Sequence, residues 1–590
     1  IAYDSDTLGT ATLAMFDRVE VVRGASGLMV GSGNPSGTLN LVRKRPTLAP
    51  QVTLTAAAGS WDNYRTEIDA SSRLNDAGTV RGRVVGSYQD KHSFTDAYSN
   101  QRQLLYGITE FDLSDATTLT LGGYYNREDN PGADWNGSPT HADGSFLDIS
   151  RSSRFSPDWT YWDKTNKSVF AEVEHRLDND WRLRLSASWL KANLEMLGSS
   201  FYRLDQSADN LQLNVGRYSY SHTQKSVDGY ATGPFSLFGR SHELVVGASY
   251  RRDDTNDGPG GGPDEGFSYV VDPTDFHYKD VAKPTIDYNW SRKGKVDQSS
   301  AYTAVRFSLR DDLKLILGSR YSSFYFNSRF KNLTTGREPR SPYREDGKLT
   351  PYGGLVWDFT DHLSWYASYT SIFKPQNVVN EANSPLKPIV GANYETGIKG
   401  AYFGGDLNVS AAMFRILQEN RAIDNGNPRC VDNCYEAAGK VRSQGLELEA
   451  SGALSDRWQL YAGYTFTRSE YRDDVSATIK AGDPYSQWFP KHLFRLYSDY
   501  RLATGGDRWS IGGGLTAQSS TDTTRDMYQG GYTLFNANVA YRVDKHTTLS
   551  LVGNNLTDKA YYIPVSNRHR GGNNFYGDPR NVKLTARYSF

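Results

Sequence analysis

The segment from Asn581 to Phe590 constrains this chain more than any other. Val582, Leu584, Ala586, Tyr588 and Phe590 share one parity, while Asn581, Lys583, Thr585, Arg587 and Ser589 share the other. Successive side chains of a strand point to opposite faces, so such a segment has one apolar and one polar surface. The same split recurs in Trp458, Leu460, Ala462, Tyr464 and Phe466, in Leu363, Trp365, Ala367 and Tyr369, and in Leu183, Leu185, Ala187 and Trp189. A soluble sandwich also alternates, but its connections are short at both ends. Here short turns at Asn75-Asp76, Ser114-Asp115, Asn179-Asp180, Asp311-Asp312, Thr360-Asp361, Ser455-Asp456 and Asp544-Lys545 interleave with much longer connections. The long ones are placed at Asn126 to Lys164, Leu197 to Asp209, Asp253 to Lys295, Asn327 to Arg344, Lys374 to Pro388, Glu419 to Lys440, Arg468 to Pro490 and Tyr562 to Asp578. That asymmetry is typical of outer-membrane barrels. The expected fold is all-β: a large antiparallel transmembrane β-barrel of about 22 strands, whose wide lumen needs a plug.

Composition agrees. No apolar stretch approaches the ~20 residues a membrane-crossing helix requires. Aromatics make up 13% of the chain, with 55 Gly against only 5 Met and 2 Cys, as suits aromatic girdles around an aqueous interior. A net charge of -1 argues against a nucleic-acid partner. Ile1 opens the chain with no basic and apolar leader, so export is argued from the barrel pattern instead. Cys430 and Cys434 stand in a polar C-x-x-x-C segment; without further Cys or His to complete a zinc site, a loop-stiffening disulfide formed in an oxidising compartment is the expected reading. Gly258-Pro259-Gly260-Gly261-Gly262-Pro263 reads as flexible punctuation inside a loop.

At the other end of the chain, Met15 to Pro46 reads MFDRVEVVRGASGLMVGSGNPSGTLNLVRKRP, two short β-like pieces around a Gly-rich turn. A phosphate-cradling reading of Gly31, Gly33 and Gly37 fails, because neither the Lys-Ser/Thr pair nor a helix follows. The segment resembles the last third of the plug of TonB-dependent outer-membrane receptors. The match runs through Asp17, Arg18, Glu20, Arg23, Gly24, Gly31, Asn34, Pro35, Gly37, Asn40, Lys44, Arg45 and Pro46. On that resemblance residues 1–48 are the C-terminal part of a plug domain and 49–590 the barrel, with the earlier plug and the TonB box not represented.

Within the family, Gly137 to Pro139, Ser156 to Trp162 and Glu172 to Leu177 are similar to the coprogen and pyoverdine receptor group; Asn554 to Asp558 and Gly577 to Arg580 are similar to the family's closing signature. The resemblance implies active import of a ferric siderophore of hydroxamate or mixed-chelate type, driven through TonB with ExbB and ExbD. It further implies a monomer in outer-membrane lipid, open to phage or bacteriocin docking, with iron as cargo and no resident cofactor. Cobalamin, haem, a copper chelate or an oligosaccharide is the alternative cargo. A partly apolar, hydrogen-bonding chelate suits a pocket of loop aromatics with a few polar groups. The residues singled out are Trp135, Trp159, Tyr161, Trp162, Tyr202, Arg203 and Trp488, and, from the family's apical plug loop, Met29 and Val30. The same aromatics also suit an interfacial girdle. Plug charges Arg18, Glu20, Arg23 and Arg43 to Arg45 are read as structural, with Glu447 and Glu449 as barrel partners. No enzyme is expected: there is no G-x-S-x-G, and His242-Glu243 lacks the second His of H-E-x-x-H.

Overall fold

The computed structural model describes residues 12–24, 37–264, 266–376, 378–382, 384–424, 435–476, 479–504, 506–523, 527–564, 568 and 570–590. Met29, Val30, Cys430 and Cys434, and the side chain of Arg23, lie outside that set.

From Gln51 onward each strand pairs antiparallel with the next, and the last, Asn581–Ser589, pairs back onto Gln51–Gly59 through Leu584↔Ala58, Ala586↔Ala56 and Tyr588↔Leu54. The wall has 22 long strands, supplemented by the two-residue strand Val270–Val271 beside Leu211–Leu237. Closure leaves no edge, so every ladder position can pair without water, as hydrocarbon demands. Among the described residues no helix is long and apolar enough to cross a membrane. The apolar parity faces outward, exposing Leu54, Ile68, Val169, Leu185, Val227, Val246, Leu317, Leu551 and Leu584 as a lipid-facing surface.

One end of the barrel carries only short connections, of which 502–508 is the longest. All seven short turns read from the sequence fall there, joined by Phe238-Gly239, 403–406 and 502–508. The opposite end bears 130–160, 264–285, 472–491 and 555–580. Three of its connections, 60–62, 93–98 and 519–531, have no counterpart in the sequence reading. Three of the anticipated loops are in large part strand: Leu211–Leu237 and Arg240–Pro263 are 27 and 24 residues long, Arg182–Tyr202 runs past Leu197, and Leu313–Asn332 faces Arg340–Asp358. At about 3.3 Å per residue such strands extend far beyond a hydrocarbon band of about 25 Å. Above the bilayer neither face of a strand meets lipid, so the lipid-imposed alternation ends while backbone pairing continues. The Gly258 to Pro263 segment is likewise ladder, with Gly261 opposite Arg217 on one side and Tyr288 on the other, and not loop punctuation.

Inside the barrel, β1 (Phe16–Arg23) and β2 (Gly37–Arg43) form a separate two-stranded sheet, with Val19↔Leu41 and Val21↔Leu39 in register. Two contacts fasten it to the wall. Ala14, Met15 and Phe16 pack on an apolar patch of the lumen made by Val85, Leu104, Tyr106 and Ile108. Beside it Lys44 Nζ reaches Asp69 at 2.7 Å, and Arg45 bridges Glu110 at 2.9 Å and Glu172 at 2.6 Å. The wall's own Arg83 and Arg184 share Asp69 and Glu172, at 2.7 and 2.5 Å. Tyr106 Oη donates to the Lys44 carbonyl and Arg83 to that of Arg45, at 2.8 and 2.9 Å. The described plug cations therefore meet carboxylates on Asn63–Arg73, Ser99–Ser114 and Tyr161–Arg176, and the expected pairing with Glu447 and Glu449 is not the one Lys44 and Arg45 make. Arg18 stays within the sheet, on Glu20 at 2.7 Å and Asp17 at 3.1 Å, and Arg43 lies over the Phe170 ring at 4.0 Å.

Glu172 is the carboxylate with most to lose, since two guanidinium groups converge on it. Glu172→Ala is expected to weaken the plug–wall contact by about 1.5–3 kcal/mol, the loss of a charge-assisted hydrogen bond to Arg45, which is half exposed and keeps Glu110. In limited proteolysis, cleavage within 12–46 should become fast while the barrel still migrates as folded on an unheated gel; equal resistance in variant and wild type would refute this role.

Candidate ligand-binding vestibule

Parity decides which side chains face the lumen. Glu172 meets the plug's Arg45 and is shared by Arg184, so Trp162, Lys164 and Asn166 on Tyr161–Arg176, and Leu194 and Met196 on Arg182–Tyr202, face inward as well. Register carries that face to Leu211–Leu237, where Tyr218 lies opposite Met196, Tyr220 opposite Leu194 and His222 opposite Ala192. Above the plug these strands present a continuous series of rings. Trp135, from 130–160, meets Tyr218 edge-on at 5.6 Å. Tyr218 and Tyr220 lie 6.2 and 6.3 Å from Trp290, which stacks on Phe330 at 6.4 Å. These separations suit favourable aromatic pairs. Glycines make the room: a Cβ at Gly260 would overlap the Trp290 indole, and one at Gly198 would press on Trp135 at 3.3 Å.

Polar groups flank the rings. The buried Asp257 carboxylate receives Arg292 at 2.9 Å and lies 3.0 Å from His222 Nε2. Lys164 sits 4.3 Å from the Trp162 ring, whose indole N–H is enclosed without an acceptor among the described residues. Such a wall can stack a flat, partly apolar solute and offer it a few directed charges.

Of the residues singled out in the sequence, Trp135 and Trp162 belong to this inward face. Trp159 and Tyr161 do not; they pack against a loop core of Leu147, Phe155, Leu197, Phe201, Leu211, Leu213, Val215 and Val281, where Trp159 Nε1 donates to the Val281 carbonyl at 2.9 Å. Tyr202 is half exposed at the strand end. The Arg203 guanidinium is buried and committed to carbonyls, reaching Thr140 at 2.6 Å, Arg570 at 3.2 Å and Ala208. Burial lowers its pKa, partly offset by Asp209 at 3.7 Å. Trp488 has one ring neighbour among the described residues, Phe489. Tyr218, Tyr220, Trp290 and Phe330 were missed because they lie on strands. Their signals were the alternating Tyr218-x-Tyr220-x-His222 and the small residues Gly258 to Pro263 opposite Trp290.

The outer loops form one knit structure. Phe146 stacks on Tyr562 at 4.1 Å, Asn574 Nδ2 donates to the Ser138 carbonyl at 3.1 Å, and Arg151 grips Asp558 through both oxygens at 2.7 and 3.1 Å. The mouth of the vestibule is thereby held open by a rigid rim.

The family model described as "TonB dependent receptor-like, beta-barrel" matches residues 123–556. The chain belongs to the TonB-dependent receptor family. It is similar to the ferric-pyoverdine M114 receptor PbuA of Pseudomonas sp. (strain M114), at 38% identity over 98% of this chain and 71% of that protein. It is also similar to the ferric-pyoverdine BN7/BN8 receptor of Pseudomonas putida, at 37% identity over 100% of this chain and 72% of the relative. Among solved structures, the outer-membrane ferripyoverdine receptor of Pseudomonas aeruginosa bound to ferripyoverdine superposes with a TM-score of 0.87 at 34% identity, covering 98% of this chain and 77% of that one. The same TM-score, at 33% identity and over 98% and 78% of the two chains, relates it to the FpvAI–pyocin S2 complex. The receptor is an outer-membrane protein.

In the receptor's rim, Arg151 and the Arg580 backbone N–H hold the Asp558 carboxyl down to about 2 from its ordinary 3.8. A depressed folded pKa gives stability that is present above the unfolded value and lost as pH falls through the folded one. The tie between 130–160 and 555–580 is expected to be intact above pH 4 and to loosen toward pH 2, read as rising pepsin cleavage in these loops. Asp558→Asn should cleave quickly across that range; a variant with the wild-type profile would exclude the pair as the cause.

Proposed function

We propose that the receptor imports a ferric siderophore of the pyoverdine class across the outer membrane, TonB with ExbB and ExbD supplying the energy. What carries this reading is that relatives at 35–38% identity over nearly the whole chain are ferric-pyoverdine receptors. The vestibule suits it physically. A hydroxamate or mixed chelate has flat conjugated and apolar parts that stack on Trp135, Tyr218, Tyr220 and Trp290, and polar edges for Lys164 and the Trp162 N–H. Residues 1–48 belong to this reading as the C-terminal part of the plug, of which β1 and β2 lie in the lumen, and Met29 and Val30 are assigned as ligand contacts on the resemblance to the family's apical plug loop. The apolar contact of Met15 and Phe16 keeps that segment against the wall while TonB rearranges the rest. The rigid outer rim is also a docking platform for a bacteriocin, as supported by the pyocin complex of a related receptor.

Tryptophan-fluorescence titration of the detergent-purified receptor with ferric siderophores, haem and cobalamin tests the reading. A ferric pyoverdine should quench saturably at nanomolar concentration. Trp290→Ala, which empties the centre of the ring series, should weaken binding by about 1.5–3 kcal/mol, roughly ten- to a hundredfold. Trp159→Ala should act through loop stability instead, leaving the affinity of the folded fraction unchanged. Saturation by haem or cobalamin with no response to any ferric siderophore would overturn the assignment.

A further inference from the structure

The outward face of the barrel is uniform in its apolar band but not just above it. On three neighbouring strands the residue directly above the lipid-facing run is a lysine: Lys167 above Val169, Lys191 above Trp189, and Lys225 above Val227. All three have the parity opposite to Glu172, Arg184 and Asp228, which face the lumen. Lys167 and Lys191 are direct cross-strand partners, and Lys225 lies opposite Trp189, one step diagonally from Lys191. Lys225 in turn is the direct partner of Arg252 on Arg240–Pro263.

Like charges directly opposite each other in a sheet destabilise it, so this row carries a cost that the barrel itself does not offset. Arg252 is neutralised by Asp254 at 2.9 Å. Lys167, Lys191 and Lys225 have no carboxylate partner among the described residues; Lys167 has only the Tyr125 ring, at 5.6 Å. The nearest outward acids on the same strands, Asp163 and Glu195, stand four residues further out, and Glu195 is taken by Ser219 at 2.5 Å. The row is also local. At the corresponding place on other strands stand Tyr64, Asp90, Gln103 and His492, and the arginines Arg415 above Met413 and Arg468 above Phe466 do not adjoin, because Gln444 lies between them and Arg468 is taken by Glu470 at 2.8 Å.

We propose that Lys167, Lys191 and Lys225 form a site for the phosphorylated headgroup of an outer-leaflet glycolipid, held against the barrel wall with its acyl chains over Val169, Leu185 and Val227. The position selects a lipid over a soluble anion. The ammonium groups sit where the apolar surface ends, their stems lie along it, and Trp189 and Tyr125 mark the interface beside them. The row is at the end of the barrel that carries the long connections, hence in the outer leaflet, where phosphorylated glycolipid is the available anion. Basic clusters at a membrane boundary attract anionic headgroups by this logic.

The test is native mass spectrometry of the full receptor in mild detergent, titrated with diphosphorylated lipid A and, separately, with its fully dephosphorylated form. The wild type should retain the diphosphorylated form at least tenfold more tightly than the dephosphorylated one, and excess inorganic phosphate should not displace it. The combined Lys167→Gln, Lys191→Gln and Lys225→Gln variant should lose that tenfold preference while still binding ferric siderophore, which reports that it is folded. Lys293→Gln with Lys331→Gln, which removes two exposed lysines nearer the strand tips, should keep it. Equal retention of the two lipid forms, wild-type behaviour of the triple variant, or displacement by inorganic phosphate would each overturn the site.

Discussion

Closure of Asn581–Ser589 onto Gln51–Gly59 is the constraint on which everything else rests. In hydrocarbon an unpaired backbone N–H or C=O costs several kcal/mol, so a sheet of this length is stable there only as a ring. Closing a ring of this many strands makes a lumen too wide for wall side chains to fill, and the interior must be occupied by a separate element. The plug sheet and its attachments are thus consequences of strand number. The same closure sorts side chains by parity, which is why the polar face of each strand can be given over to charge.

That charge is concentrated where the plug meets the wall. Lys44 and Arg45 directly follow β2 and insert between carboxylates that already have cations of their own, Arg83 on Asp69 and Arg184 on Glu172. Each carboxylate is therefore shared, and no wall charge would be left alone if the plug cation withdrew. A contact of this kind holds position strongly but has a low cost of exchange, unlike a fully buried single pair, whose separation would strand both partners. The adjoining apolar contact of Met15 and Phe16 with Val85, Leu104 and Tyr106 has no such substitute. Transport that moves the plug against the wall is best served by breaking the ionic side and keeping the apolar one.

The membrane-embedded part of the molecule was legible in the sequence because lipid imposes a strict period of two. Val582 to Phe590 and Trp458 to Phe466 were assigned correctly on that basis, as were the seven short turns, whose Asp, Asn and Ser residues bond locally to the backbone. Legibility ended where lipid ended. From Asp253 to Pro263 and from Ile286 to Lys295 neither face meets lipid, the sequence is polar and Gly-rich, and the strand continues only because a partner strand is alongside. The vestibule rings Tyr218, Tyr220, Trp290 and Phe330 stand on this invisible continuation, so a search confined to loops passed them by.

Aromatic content alone also misassigned roles within the loops. Trp159 and Tyr161 stand within three residues of Trp162, yet the first two enter a buried core and the third faces the lumen. On a strand the face alternates, and Tyr161 and Trp162 are adjacent positions at its first turn into the ladder, so a shift of one residue exchanges the loop core for the lumen. Arg203 shows the complementary case. A loop arginine near aromatics suggests a ligand charge, but three carbonyls from three outer connections surround this one, and its charge serves to hold the rim together. The rigidity that results has a functional consequence. A vestibule whose rings are set on paired strands and whose rim is bolted loses little conformational entropy when the ligand enters, and tight capture of a dilute solute depends on that economy.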